Sequence, residues 1–189
     1  MSESLITKRA LSSGLKELMK KKSFDKITIA DITEFCGLNR QTFYYHFQDK
    51  YELVNWIYYN EAISIVTNNL TFETWDTRVC ELLTAMKGEA HFYQNTLRDT
   101  TNNEFHNYLY CVSKELFCDI IDHIAIDKTI EETDRVFIAE FLAFGVVGMI
   151  VAWAKNGMKQ SPEDITLHLR TIINGSKMFA VSRYLQDMQ

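Results

Sequence analysis

The stretch TIADITEFCGLNRQTFYYHF, residues 28–47, contains two short helical patterns separated by a glycine. Thr28 is placed to N-cap the first helix, because a threonine hydroxyl can accept a hydrogen bond from the first turn. Apolar residues then recur at the spacing of one helix face: Ile29, Ile32 and either Phe35 or Cys36. Gly37 can end that helix in the left-handed conformation, and Asn39 can cap the next one. The segment therefore predicts a helix-turn-helix.

The second helix, predicted over residues 40 to about 46, has an unusual composition for a helix that only packs. Phe43 and Phe47 lie four residues apart and are expected to face the core. The remaining side chains point outward and carry hydrogen-bonding groups or aromatic rings: Arg40, Gln41, Thr42, Tyr44, Tyr45 and His46. Arginine can read guanine, glutamine can read adenine, and tyrosine hydroxyls can reach phosphate oxygens. This pattern favours a helix that lies in a DNA groove.

These residues resemble the DNA-binding signature of TetR/AcrR-family transcription regulators. The positions that match the family pattern are Thr28, Ile29, Ile32, Gly37, Thr42, Phe43, Tyr44, His46, Phe47 and Lys50. Two positions depart from it, since the family often has serine in place of Asn39 and glycine in place of Gln41. Within the family, the run NRQTFYYHF is similar to the subgroup related to dihydroxyacetone kinase regulators.

The resemblance implies a homodimer that binds a palindromic double-stranded DNA operator through this module. The residues expected to contact DNA are Thr28, Asn39, Arg40, Gln41, Thr42, Tyr44, Tyr45, His46 and Lys50. Lys50 follows the recognition helix directly, which favours a phosphate contact. A helical protein-interaction adaptor without DNA binding is the alternative.

The composition indicates a folded, all-α protein. Of 189 residues, 47% are hydrophobic and 24% charged, with one proline and seven glycines, and alternating strand-like stretches are scarce. We expect about nine helices in two domains, a DNA-binding head over residues 1–48 and a helical regulatory and dimerisation body over residues 49–189.

The charge differs between the two predicted domains. Residues 1–50 carry nine Lys and Arg against six Asp and Glu, whereas the remainder carries eleven against nineteen. A basic head on an acidic body fits phosphate binding confined to one end. Helical proteins without a nucleic-acid partner show similar asymmetry, so the charge alone does not decide between the two.

The sequence predicts a cytoplasmic protein without a membrane partner. Polar residues occur throughout residues 1–22, unlike in a signal peptide, and the longest strongly apolar run, residues 141–154, is too short to cross a bilayer.

The periodicity predicts the remaining helices. The first, residues 4–22, places apolar residues on one side and basic residues, including Lys16, largely on the other. A fourth helix runs from near Asp49 toward Leu70 as a rigid link from head to body. Five helices follow, at residues 74–86, 89–99, 103–125, 130–156 and 162–185.

The run FLAFGVVGMIVAWA, residues 141–154, is apolar on all sides and needs burial around its whole circumference. Glycines leave a smooth surface for close helix approach. With the final helix, this run resembles the family's dimerisation element, for which the candidate interface residues are Gly145, Gly148, Ile172 and Phe179. An ordinary intramolecular core fits the same periodicity.

Nothing in the sequence indicates an enzyme, a metal site or a cofactor. The four cysteines lack CxxC spacing and are expected to be packing residues, and the five histidines form no recognisable ligand set. The resemblance implies an effector pocket in the body, for which the candidate lining residues are Phe92, Phe105, Tyr108, Phe117, Phe144 and Trp153. Aromatic residues also simply fill cores, and the regulator acting on the body is either a small molecule or a protein co-regulator.

Overall fold

A computed structural model describes residues 3–98, 104–124 and 130–186, with side chains described as far as residue 123 in the second range and residue 175 in the third. Across these ranges the chain is helical and contains no strand, which confirms the predicted all-α class. The helices are α1 Glu3–Met19, α2 Ile29–Phe35, α3 Arg40–His46, α4 Lys50–Ile57, α5 Ser64–Thr67, α6 Trp75–Gly88, α7 Ala90–Thr96, α8 Glu104–Ile124, α9 Glu132–Lys155 and α10 Pro162–Gln186. A 3₁₀ turn, Phe24–Lys26, precedes α2.

Helices α1, α2 and α3 form the head around a small apolar core. Its fully buried side chains come from all three helices and the residue after α3: Leu11, Leu15, Ile32, Phe43 and Phe47. Helix α1 ends at Met19, three residues before the predicted end. The predicted exposure of Lys16 is wrong, because this lysine lies on a buried side of α1.

Helices α1 and α2 approach each other closely at Gly14. A Cβ atom at this position would lie 2.4 Å from the Cys36 Sγ and 3.3 Å from a ring carbon of Phe35. The Cys36 thiol donates a hydrogen bond to the Ala10 carbonyl at 3.3 Å, and its partial burial raises the pKa of Cys36. Cys36 is therefore a packing residue that needs glycine opposite.

Gly14→Ala is expected to destabilise the protein by about 1 to 2 kcal/mol, because the new methyl group displaces the Cys36 thiol and overpacks the contact. Alanine is a better helix former than glycine by about 1 kcal/mol. The destabilisation from crowding must therefore exceed this gain. Urea unfolding measures the change. In a Cys36→Ala background the sulfur is absent, and there Gly14→Ala should be neutral or stabilising. An equal loss in both backgrounds would contradict this contact.

The link between head and body is not the uniform α-helix that the sequence predicts. A π-helical turn, Tyr58–Ile63, joins α4 to α5, and the three segments form one continuous helix. Counted in this way, the described residues form nine helices. The ring of Tyr58 packs into the body, with ring centroids 4.7 Å from Phe105 and 5.6 Å from Phe92. The π turn thus anchors the link in the aromatic core of the body.

The body is built on the packing of α8 along α9, with α10 packed on α6. Two ion pairs hold α8 to α9. The Arg135 guanidinium donates to both carboxylate oxygens of Asp122 at 2.6 Å, which lowers the pKa of Asp122. Lys114 donates to Glu140 at 2.7 Å, which lowers the pKa of that carboxyl. These paired charges fix the register of the two helices.

Helix α9 is buried on one side only within a single chain. Its inner face consists of alanine, valine and isoleucine residues and Trp153, and its outer face carries Phe137 and Phe141 at 70% and 71% exposure. Burial around the whole circumference, as the sequence predicts, would require a second molecule. Among the described helices, α9 is also the one long and apolar enough to cross a membrane, but its ion pairs through Arg135 and Glu140 place it against α8 within the body.

Candidate nucleic-acid interface

Thr28 and Asp31 start α2 with a reciprocal capping box. The Asp31 amide donates to the Thr28 hydroxyl at 3.2 Å, and the Thr28 amide donates to the Asp31 carboxylate at 2.7 Å. The hydrogen bonds from Thr28, together with the Lys22 ammonium at 2.9 Å, lower the pKa of Asp31 to about 2. Thr28 is thus the N-cap that the sequence predicts, and the T-x-x-D spacing could also have identified Asp31.

Thr28→Ala is expected to destabilise the protein by about 1 kcal/mol, since alanine cannot accept the hydrogen bond from the first turn of α2. Thr28→Ser keeps an acceptor and serves as the control, with a change of a few tenths at most. The Thr28 hydroxyl also donates to the Asp31 carboxylate at 2.8 Å. The pKa of Asp31 should rise in Thr28→Ala, because this hydrogen bond to the charged carboxylate is lost. Urea unfolding and an NMR titration of the Asp31 carboxyl measure the two effects. Equal stability of the two variants would contradict a capping role.

The turn between α2 and α3 has the geometry that the sequence predicts. Gly37 has a φ of +65°, in the left-handed region. The Gly37 amide donates to the Glu34 carbonyl at 3.1 Å and the Leu38 amide to the Thr33 carbonyl at 2.8 Å. This pair of bonds is the Schellman motif, which closes the end of a helix.

Asn39 begins α3 directly after this turn. Its side-chain oxygen accepts from the Thr42 amide at 2.7 Å and from the Thr42 hydroxyl at 3.0 Å. Both side chains are therefore engaged in starting the helix. A DNA contact by either one stays a prediction and would have to coexist with this cap.

Helix α3 presents its side chains in rows of residues four apart. Phe43 and, one turn on, the C-cap residue Phe47 form the buried row. Opposite this row, at 100° per residue, lie Gln41 and Tyr45, and the Tyr45 side chain is 83% exposed. The flanking rows pair Arg40 with Tyr44 and Thr42 with His46, the latter two half-buried. The structure therefore brings these predicted contact residues together on one exposed surface and makes Gln41 and Tyr45 its centre.

Contacts with neighbouring rings orient the aromatic side chains of this surface. Tyr44 lies edge-on to Phe43, with centroids 5.8 Å apart, and Tyr45 lies edge-on to His46 at 5.0 Å. The Lys8 ammonium of α1 lies 5.4 Å from the centre of the Phe47 ring. The two edge-on contacts limit the freedom of the Tyr44 and Tyr45 rings before any partner binds.

Lys50 lies differently from the other predicted contact residues. Its ammonium donates to the carbonyls of Phe24 at 2.9 Å, Ile27 at 3.0 Å and Asp25 at 3.2 Å, and it lies 4.5 Å from the centre of the Phe24 ring. A lysine has three N–H donors, and these three carbonyls use all of them. Lys50 therefore fastens the 3₁₀ turn to the start of α4. A phosphate contact by Lys50 stays a prediction and would have to coexist with these bonds.

The six aromatic residues predicted to line a pocket have different surroundings in the structure. Phe92 and Phe105 are buried together with Tyr58 and Tyr93. The other four are placed elsewhere: Tyr108 beside Tyr59 on the surface, Phe117 in the buried core, Phe144 exposed beside Tyr110, and Trp153 donating its indole N–H to the Gln160 carbonyl. Core filling describes most of them better than ligand contact.

The structure describes the surroundings of three of the four candidate dimer residues. A Cβ atom added at Gly145 or Gly148 would meet no atom within 4 Å, and Ile172 is 59% exposed. The side chain of Phe179 lies outside the described residues. The two glycines share the exposed side of α9 with Phe137 and Phe141.

Two family models match the chain. The model described as bacterial regulatory proteins, tetR family, matches residues 13–57, which include the helix-turn-helix. The model described as transcriptional regulator C-terminal region matches residues 73–175.

A curated relative is the HTH-type dhaKLM operon transcriptional activator DhaS of Lactococcus lactis subsp. lactis (strain IL1403). It is 31% identical over 94 residues, which are 50% of this chain and 50% of that protein. The chain thus matches half the length of this relative.

Solved structures share the fold. The dihydroxyacetone kinase operon activator DhaS superposes with a TM-score of 0.74 at 22% identity over 93% of this chain and 98% of its own. A TetR transcriptional regulator from Streptococcus agalactiae 2603V gives a TM-score of 0.61 at 18% identity, over 90% and 95%. The resemblance read from the sequence is confirmed, and the chain belongs to the TetR family of bacterial transcriptional regulators.

Proposed function

We propose that the protein is a cytoplasmic homodimer that inserts α3 of each subunit into the major groove of a palindromic operator. The observation that carries this proposal is the exposed surface of α3. Gln41 and Tyr45 project away from the head while Phe43 holds the helix to the core. The glutamine side-chain amide has one acceptor and one donor that complement the donor and acceptor of adenine in the major groove, and the groove is wide enough for an α-helix.

Phosphate contacts come from the same end of the molecule. Arg40 and Tyr44 flank the central row of α3, and the exposed lysines Lys21 and Lys26 lie on the segment that leads into α2. Lys22 and Lys20 are paired with Asp31 and Glu17, so they add less to the positive surface. Affinity from such contacts falls as salt rises, because phosphate binding releases counterions.

The second subunit packs on the exposed face of α9. At 100° per residue, Gly148 lies near the centre of this face. Phe137 and Phe141 point in the same direction, about three and two turns earlier along the helix. A contiguous exposed apolar face often marks an interaction site. We propose that a second copy of this chain covers the face. In a two-fold dimer the same face of each subunit meets its counterpart, and the glycines let the two helices approach closely. The two-fold symmetry also matches that of a palindromic operator.

The body receives the regulatory signal, from a small molecule or from a protein co-regulator. The curated relative is named as a transcriptional activator of the dhaKLM operon. We therefore propose activation as the first direction of control to test.

A gel-shift assay with DNA fragments from around the gene for this protein tests the proposal. We expect a shift that weakens steeply with added salt, on a fragment that contains an inverted repeat. A helical adaptor would instead form a stable complex with another protein and shift none of the fragments. The absence of any shift at low salt would therefore favour the adaptor.

A further inference from the structure

Lys16 connects the head to the body. Among the residues that the structure describes, it is the least exposed charged residue, at 8%. Its ammonium bonds to one carboxylate oxygen of Glu61 and lies 3.4 Å from a carboxylate oxygen of Glu89. Lys16 belongs to α1 in the head, Glu61 to the π turn, and Glu89 to the start of α7.

Ser12 completes this group on the head side. Its hydroxyl donates to the second carboxylate oxygen of Glu61 at 3.0 Å, so both oxygens of Glu61 are bound by α1. We call Ser12, Lys16, Glu61 and Glu89 the junction cluster. The Lys16 ammonium also lies 5.8 Å from the centre of the Phe92 ring, which adds a contact to the body core.

The π turn holds the body with one side chain and the head with another. Tyr58, its first residue, packs among the rings of Phe92 and Phe105. Glu61, three residues later, reaches α1. Single π turns inside α-helices occur frequently at functional sites, because the wider turn re-aims the side chains.

An ion pair between a buried lysine and a partly buried glutamate contributes direction more than stability. The loss of hydration, chiefly of the Lys16 ammonium, offsets much of the attraction, so apolar residues of equal volume often stabilise a protein as well. Apolar contact is non-directional, whereas the bonds of Lys16 are formed at only one position of α1 on the π turn. The cluster therefore specifies where the head lies on the body.

We propose that Lys16 is a positioning residue that fixes the angle of the head on the body and thereby sets the half-site spacing that the dimer accepts. This inference rests on the proposed dimeric operator binding. In such a dimer the two recognition helices must be about one helical turn of DNA apart. A change of head angle alters that separation, and the separation decides which operators both heads can reach together.

Operators that differ only in spacing test this proposal. Once the operator is mapped, duplexes with one base pair removed or added at its centre are compared with the original. We expect wild type to bind the altered duplexes about 10-fold or more weakly, and Lys16→Met to bind all three within about threefold. Lys20→Met is the matched control, because Lys20 directly follows the end of α1 and bonds to Glu17 within the head. Wild-type spacing preference in Lys16→Met would overturn the proposal.

A double variant separates position from stability. Lys16→Met alone leaves the partly buried Glu61 without its cation, whereas Lys16→Met with Glu61→Met removes both charges and should recover most of the lost thermal stability. If the proposal is correct, the double variant still binds the three duplexes with similar affinities. Recovery of wild-type stability and of wild-type spacing preference together would show that the cluster only stabilises the fold.

Hydrogen exchange tests the junction without DNA. Amides of residues 58–63 should exchange faster in the double variant than in wild type, although its midpoint of thermal unfolding is restored. Unchanged protection there would overturn the positioning role. If wild type binds no DNA at all, the proposed function fails, and the exchange result still decides whether the cluster holds the head on the body.

Discussion

Gly148→Leu is expected to leave each subunit folded and to reduce operator affinity by about 100-fold or more. A Cβ atom added at this position would meet no atom of its own chain within 4 Å, and leucine is a better helix former than glycine by about 1 kcal/mol. Between two closely packed α9 helices, the same side chain would hold the subunits apart, once for each copy. A monomer can engage only one half-site and loses the gain of roughly 10²- to 10⁴-fold that linked binding gives.

Sedimentation and gel shift measure this effect, with circular dichroism to confirm folding. Gly88→Leu is the matched control, because Gly88 also has open space around it but lies at the end of α6. Phe141→Glu reaches the same face by a second route, since it replaces an exposed ring with a charge. Variants of Gly148 and Phe141 that both stay dimeric would show that this face of α9 is not the interface. A monomeric variant with normal operator affinity would contradict the dimer mechanism itself.

Gln41→Ala and Tyr45→Ala are expected to reduce the preference for the operator over random DNA by about 5- to 150-fold each. This range corresponds to the roughly 1 to 3 kcal/mol by which one base contact discriminates. The two residues form the row of α3 that points directly away from the core, so they reach deepest into a groove. Their loss removes base contacts and leaves the phosphate contacts intact.

Competition titrations with random-sequence DNA measure this preference at several salt concentrations. The salt dependence should be unchanged in both variants, because it reports the number of phosphates neutralised. Gln160→Ala is the control. Gln160 is an exposed glutamine on the body, and its structural hydrogen bonds are made by the backbone carbonyl, which the substitution keeps. Equal weakening on operator and random DNA would instead place Gln41 and Tyr45 against the backbone.

The sequence predicts the head well because its signals are local. Thr28, Gly37 and Asn39 each determine the backbone within a few residues, and the structure has them as helix caps and as the left-handed turn residue. The body helices follow from apolar periodicity, and their bounds differ from prediction by only a few residues.

The sequence does not reveal partners that are distant along the chain. Lys16 and Glu61 are separated by 45 residues and Lys50 and Phe24 by 26, and an isolated lysine in a polar pattern carries no mark of either partner. The π turn also has no local signal, since its residues fit α-helical periodicity. Whether aromatic residues fill a core or line a site depends on which helices meet, and this explains why Phe144 and Tyr108 are exposed while Phe105 is buried.

Selection of bound duplexes from a random pool by the purified protein tests the central claim most directly. We expect enrichment of an inverted repeat whose half-site centres lie about 10 base pairs apart, and loss of base preference within the half-sites when Gln41 and Tyr45 are replaced by alanine. Enrichment of no sequence, or of a motif that survives replacement of both residues, would contradict the account.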